Sequence, residues 1–381
     1  MAGYPDSRGR CEFAGQGGPV GIPPPTATVL RGPMQPGPTT YAQLSHQVRA
    51  AGLLTPNPWF YFLNLAFALG ALSLSLLLLT VMPVWWAAVI AGLGFGLASS
   101  QIGLLGHDVG HIQFIRRKLP NQLAGMFLGN ILLGFSRHWW VSKHNLHHAT
   151  PNSVGEDPDV EFSLLVFSPD QMGSRAAWAK PLVRRQGFLI FVYMPLQAMN
   201  ARLGSMRHVL ATRPRLWRLE VATILVHFAL YLSIPLLLGV GWLPFLIFAL
   251  VHQAVFGICN VLIFAPNHKG MPMVPEGEHW GFLKTQIVTA RNVRSPLAIA
   301  WFFGGLNYQI EHHLFPTMPR HNLRKARPYV KALCAAARLP YVEEGVVASY
   351  RGSFGHLTNV TREIETLSRA EALRLKTLKS S

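Results

Sequence analysis

Four apolar runs, at about residues 60–82, 84–106, 221–241 and 243–266, contain no Lys, Arg, Asp or Glu. Each approaches the ~20 residues a helix needs to cross a bilayer. "MPVW" joins the first two and a turn near "GVGWLP" joins the last two, so the pattern reads as two tight transmembrane hairpins. Composition agrees: the chain is 50% hydrophobic and 13% charged.

The charge is one-signed, +17 over 381 residues. Of the 34 Lys and Arg residues, 4 precede residue 60, 14 lie between 107 and 220, and 16 follow 266. The hairpin tips carry none. With both hairpins spanning, every basic residue falls on one side, and the positive-inside rule makes that side cytoplasmic. Topology and anionic headgroups therefore explain the charge better than nucleic acid, which is not expected as a partner.

Three shorter stretches, 119–135, 186–199 and 296–306, contain Asn, Gly or Pro and read as interfacial or re-entrant helices. Residues 1–40 are rich in Gly and Pro without periodicity and read as a disordered tail with no signal peptide. Cys11, Cys259 and Cys334 lack the spacing of a disulfide framework or a zinc knuckle.

The 16 histidines cluster. "GHDVGH" places His107 and His111 at i and i+4, one face of a helix. "HNLHH" places His144, His147 and His148 at i, i+3 and i+4. "QIEHH" repeats that spacing with Gln309 ahead of His312 and His313, and His268 follows the fourth run directly in "APNHKG". All fall on the cytoplasmic side of the expected topology, at one level of the membrane face. Imidazoles without thiolates suit iron, zinc or copper. A zinc site is filled by four ligands, so eight histidines imply two metal ions.

A histidine standing alone is more often an ordinary polar residue. That reading covers His46, His138, His208, His279, His321 and His356, and also His227 and His252 inside the third and fourth runs. At ~1.5 Å per residue His252 lies about 24 Å along a helix from His268, too far to share its metal. "EGEH", with Glu276 and His279, is the one candidate Glu-x-x-His motif of a carboxylate di-iron protein, and its Gly277 and flanking prolines favour a loop. A metal transporter would place its ligands inside the spans, near the midplane.

"HDVGH", "HNLHH" and "QIEHH", in that order, resemble the three histidine boxes of the membrane fatty-acid desaturases. "RNVRSPLAIAWFFGGLNYQIEHHLFPTMPRHNL" resembles the third-box region of that family, and "HHATPNSVGEDPDVEF" the segment after its second box. The resemblance covers roughly residues 41–345, leaving 346–381 as a C-terminal cytoplasmic tail. It implies an all-α membrane protein of four transmembrane helices with a cytoplasmic, histidine-rich dimetal cap. Two non-haem irons and O2 would remove two hydrogens from a fatty acyl chain, carried on coenzyme A or lipid, to leave a cis double bond. Zinc would not serve, because an unactivated C–H bond requires a redox-active oxidant.

The resemblance also assigns roles. His107, His111, His144, His147, His148, His268, His312 and His313 would be ligands. Gln309 would be a weaker one, through its amide oxygen or a water. Asp108, Glu311 and Asp157, and Asp159 less closely, are candidate acceptors for ligand imidazoles, and Asn267 a supporting contact. Gly304 and Gly305 would allow close approach. A Gln at the first position of the third box resembles the front-end subgroup, which acts between an existing double bond and the carboxyl end. Many of that subgroup carry a fused cytochrome b5 domain with a His-Pro-Gly-Gly motif. That motif does not occur in these residues, so electrons are expected from a separate ferredoxin or cytochrome b5-like carrier with a reductase. Insertion at Δ9, or hydroxylase, ketolase or alkane monooxygenase chemistry on the same scaffold, are the alternatives.

Overall fold

The computed structural model describes residues 39–380, with side chains through residue 370. The Gly/Pro-rich segment and Cys11 thus lie outside the described residues, apart from residues 39 and 40. The described residues are mostly helical: α1 (Tyr41–Ala50), α2 (Pro58–Val81), α3 (Trp85–Gly110), α4 (Lys118–Met126), α5 (Arg137–Ala149), α6 (Lys180–Val183), α7 (Gln186–Tyr193), α8 (Gln197–Thr212), α9 (Trp217–Leu232), α10 (Ile234–Leu237) and α11 (Trp242–His268). They are followed by α12 (Phe282–Val288), α13 (Leu297–Phe302), α14 (Gln309–Leu314), α15 (Arg320–Ala336) and α16 (Val346–Ser380). Two short strands, β1 (Asn292–Arg294) and β2 (Glu343–Gly345), pair in parallel, with Asn292 opposite Glu343.

Among the described residues three helices, α2, α3 and α11, are long and apolar enough to cross a membrane. Asn57 caps α2 by accepting from the Trp59 N–H at 3.1 Å, and Pro58 occupies the first turn, where a missing N–H costs nothing. Pro83 follows its C-cap, Met82, and stops it. The third apolar run is divided: α9 ends at Leu232, and α10 begins after Ser233 with Pro235 in its first turn. Sixteen residues at ~1.5 Å each give α9 about 24 Å, short of a ~30 Å hydrocarbon core.

Helix α3 is the centre of the bundle, packing on α2 and α11. Small residues make this possible: a Cβ built on Gly96 would lie 2.7 Å from the Val255 Cβ, so only hydrogen fits between α3 and α11 there. The outer face of α2 leaves Phe62, Leu63, Phe67, Leu74 and Leu77 exposed. A separate core joins α1, α14 and α15 through Leu44, Val48, Ile310, Leu314, Leu323 and Val330.

The three shorter stretches are helical in part. Helix α4 runs on into a π-helical turn, Phe127–Leu132, while α7 and α13 fall within the other two. Beyond residue 345 the chain continues as α16, whose Tyr350 hydroxyl donates to the Leu262 carbonyl at 2.8 Å and whose Ser353 donates to the Lys269 carbonyl at 3.0 Å.

Candidate metal centre

Each histidine cluster sits at a helix end. His107 lies in the last turn of α3, and His111 is its C-cap. Ser136 caps α5, accepting from the Trp139 N–H at 3.0 Å, and this helix carries His144, His147 and His148. His268 is the last residue of α11, and α14 carries Gln309, His312 and His313. The 3–4 residue spacing puts each set on one helix face.

These faces converge in two groups. His107, His111, His144, His148 and His312 offer nitrogens that all lie within 4.8 Å of one another. His147, His268 and His313 form a second set on the same criterion. His148 and His313 stack with ring centroids 4.3 Å apart, so the groups adjoin. All eight predicted histidines are brought together. His46, His138, His208, His227, His252, His279, His321 and His356 belong to neither group. His252 instead accepts from or donates to Ser99 Oγ at 3.2 Å and Tyr231 OH at 2.7 Å. Glu276 and His279 lie in a non-helical stretch, as the glycine and prolines imply.

The ring orientations of the second group are fixed from behind. His147 Nδ1 lies 3.0 Å from both Asp157 oxygens, His268 Nδ1 is 3.0 Å from the Thr289 carbonyl, and His313 Nδ1 is 2.8 Å from Gln286 Oε1. Each partner accepts, so each Nδ1 carries the proton and each Nε2 keeps a lone pair facing inward. In the first group His107 Nδ1 meets Asp108 Oδ1 at 3.3 Å, and Asp108 in turn pairs with Arg320 Nε at 3.3 Å. Gly304 and Gly305, at φ +58° and +85°, permit that approach, since a Cβ on Gly305 would lie 3.2 Å from the Arg320 Cβ. Trp140 stacks on His144 at 4.5 Å and leaves no room for a Cβ on Gly110.

The donor set fits metal ions. The Nε2 atoms of His107 and His313 and both ring nitrogens of His312 are buried without a protein partner. Buried polar atoms are rarely left so, and an ion is one of the few things that satisfies several imidazoles at once. Burial and neighbouring imidazoles hold His144, His148, His312 and His313 well below the ordinary histidine range, so they are neutral and can ligate at pH 7. Burial also opposes charge on His147, but Asp157 and Asp159 prevail and raise it, making its ring the more basic donor.

Gln309 lies beside His268, with its Nε2 3.0 Å from the imidazole Nε2, and its Oε1 accepts from Asn267 Nδ2 at 3.2 Å. An amide that ligates must present oxygen. Gln309 would turn by half a rotation, which sets its NH2 against the Asn267 NH2, so Asn267 would turn as well and present its Oδ1, which is buried without a partner.

Glu311 departs from expectation. It accepts from Tyr341 OH at 2.7 Å and Asn292 Nδ2 at 2.6 Å rather than from an imidazole. One residue before His312, it leaves the helix on another face, and burial raises its carboxyl pKa. It anchors α14 to β1 instead. Asp159 pairs with Lys143 and reaches His147 at 3.5 Å. Sequence reasoning did not find Gln286, Thr289, Asn292, Arg320 or Tyr341. Nor did it find Arg291, which donates to the Pro266 carbonyl at 2.6 Å and to Ser353 at 2.8 Å, tying the end of α11 to α16. Asn292, Arg291 and Arg320 do fall in the stretch around the third box, the only signal they gave.

Comparison with known proteins identifies this arrangement. The family model for fatty acid desaturase matches residues 83–345. The Delta(6)-fatty-acid desaturase fat-3 of Caenorhabditis elegans is 30% identical over 342 residues, 86% of this chain and 76% of the relative. The Delta(5) fatty acid desaturase fat-4 of the same organism is 32% identical over 315 residues, 80% of this chain and 69% of the relative. Fatty acid desaturase 3 of Bos taurus is 32% identical over 326 residues, 81% and 71% of the two chains. The chain belongs to the fatty acid desaturase family and is an oxidoreductase.

Proposed function

We infer that the chain is a di-iron, O2-dependent desaturase that places a cis double bond in a fatty acyl chain, acting in the front-end manner. One observation carries this: eight histidines in two adjoining groups, seven of them buried and His148 half-buried, several with nitrogens that have no protein partner. His107, His111, His144, His148 and His312 would hold one iron, and His147, His268 and His313 the other, with Gln309 as a weaker oxygen ligand. Bound iron supplies the O2-derived oxidising power that an unactivated C–H bond demands.

The chain's own residues do the rest. Asp157, Gln286 and the Thr289 carbonyl keep three rings in the tautomer that leaves Nε2 free. Asp108, backed by Arg320, does the same for His107. Burial of most of the rings keeps bulk water away from the site where the C–H bonds would be oxidised.

The apolar runs cross the membrane as two hairpins, with α9 and α10 together making the third crossing and the histidines on the cytoplasmic side. This is supported by the absence of Lys and Arg from both hairpin tips. Electrons arrive from a separate ferredoxin or cytochrome b5-like carrier fed by a reductase. The Δ6 and Δ5 names of the relatives, together with Gln309, support front-end regiochemistry.

Expression in a host lacking the activity, followed by mass-spectrometric localisation of double bonds in its lipids, tests the assignment. A new cis bond between an existing double bond and the carboxyl end is expected. A hydroxylated or ketone product, or a Δ9 bond in a saturated chain, would overturn it.

A further inference from the structure

Apart from the histidine groups, a cavity of about 280 Å³ opens where β1, α13, α15 and the start of α14 meet. Arg294, Arg324, Arg327, Ser295, Tyr308 and Glu343 line it. Its one carboxylate is already neutralised, because Glu343 accepts from Arg327 at 2.6 Å and from Lys331 at 3.2 Å. Among the described residues no carboxylate pairs with Arg294 or Arg324, and both are exposed. The surplus is therefore two guanidiniums facing a concavity, with a hydroxyl beside them. A planar guanidinium fork matches the oxygens of a phosphoryl group better than any other common anion except a carboxylate.

Size and position narrow the ligand. At about 280 Å³ the cavity is large enough to admit a phosphoryl group. Its apolar side is α13. Leu297 there is 76% exposed, and Trp301 packs edge-on against Phe67 of α2 at 5.5 Å. So the arginines stand at the border between a polar pocket and an apolar surface continuous with a candidate membrane span. At its inner end, Tyr308 immediately precedes Gln309. A molecule with a phosphate at one end and a hydrocarbon chain at the other fits both sides of that border.

We propose that this cavity receives a phosphoryl group of the acyl carrier. This rests on the fatty acyl desaturase reading above. The phosphate has two sources, coenzyme A or a phospholipid headgroup. The arginines are not the adjacent pairs, Arg116–Arg117 and Arg184–Arg185, that the sequence alone suggests for such a role.

The test uses the full chain, loaded with iron, in non-ionic detergent. Wild type and R294Q/R324Q are titrated with acyl-CoA in one arm and with acyl-phosphatidylcholine in mixed micelles in the other. Iron content and the thermal midpoint are measured alongside. Exposed ionic contacts each give about threefold, so the double variant should raise KM about tenfold for the carrier that wild type uses, with kcat nearly unchanged. The arm in which this happens names the source. Should the double variant lose iron, R294Q and R324Q are assayed singly, each expected at about threefold. Unchanged KM for the carrier that wild type turns over overturns the proposal. So does a rise confined to the KM of the electron carrier, which would mark a docking face for that protein. No product from wild type in either arm would instead overturn the underlying desaturase reading, and the proposal with it.

Discussion

If the two histidine groups hold two irons, as proposed, Asp157→Asn should cost the protein one of them. Asp157 is fully buried and accepts from three N–H groups: His147 Nδ1 at 3.0 Å, the Asn152 amide at 2.8 Å and the Asp159 amide at 2.8 Å. Its Oδ2 serves Asn152 and its Oδ1 serves Asp159, with His147 shared between them. An asparagine has one acceptor oxygen. Whichever way its amide turns, its NH2 faces a backbone N–H, which then has no partner. An orphaned buried N–H costs about 1–3 kcal/mol, and two remaining bonds drop from charge-assisted to neutral at about 1 kcal/mol each, so the total is about 3–5 kcal/mol. The damage is local. When the NH2 turns toward Asn152, it also disturbs the residue that donates to the His268 carbonyl at 3.1 Å, so support for a second histidine of the group weakens. Loss of such a partner typically lowers metal affinity about 10–100-fold. Iron per chain, measured by elemental analysis after dialysis, should fall from about two toward about one, with product falling at least as far. A D157N protein that keeps both irons and full turnover would refute the argument that Asp157 sets the His147 tautomer.

His312→Ala removes the ring whose two nitrogens are both buried and unpartnered, and should abolish product while the second group keeps its iron; full activity would contradict ligation. Gln309→Ala should be nearly inactive, with Gln309→Glu and Gln309→His retaining partial or altered activity. Iron content and product measured together distinguish this from simple packing, which would leave Ala like wild type. The iron-free protein should lose stability as pH falls. His144, His148, His312 and His313 are held well below 6.5 when folded, so the unfolded chain takes up their protons first, and each adds a slope of up to ~1.4 kcal/mol per pH unit below that value. A thermal midpoint that stays flat, or rises, on acidification from about pH 7 to about pH 5.5 would contradict it.

The histidine groups were legible because helical spacing is a local property. Residues at i, i+3 and i+4 share a face wherever the helix goes, so "HNLHH" announces itself without a fold. What holds the rings is not local. Gln286 lies 27 residues before His313, and Arg320 is brought to Asp108 across the whole bundle. The Thr289 carbonyl that orients His268 has no sequence signature at all, since every residue has a carbonyl. Glu311 was misjudged for the same reason: adjacency in sequence to His312 suggested contact, while helix geometry turns it toward Asn292 and Tyr341. Hydropathy likewise marked the third run without showing that Ser233 and Pro235 divide it.

Helix α14 shows where the unreadable part matters most. It has six residues, too few to be stable alone, since a first helical turn costs more than its hydrogen bonds return. Yet it must hold Gln309, His312 and His313 in register with histidines from three other helices. Its other face supplies the answer: Ile310 and Leu314 are buried against Leu44 and Val48 of α1 and Leu323 and Val330 of α15. The Tyr41 hydroxyl donates to the Leu314 carbonyl at 2.8 Å, satisfying a terminal group that a six-residue helix cannot satisfy itself. The segment ahead of the first apolar run, which carries no ligand, is therefore part of what fixes the metal centre. In the structure it is a ten-residue helix capped by Thr40, whose side chain accepts from the Gln43 N–H at 3.2 Å.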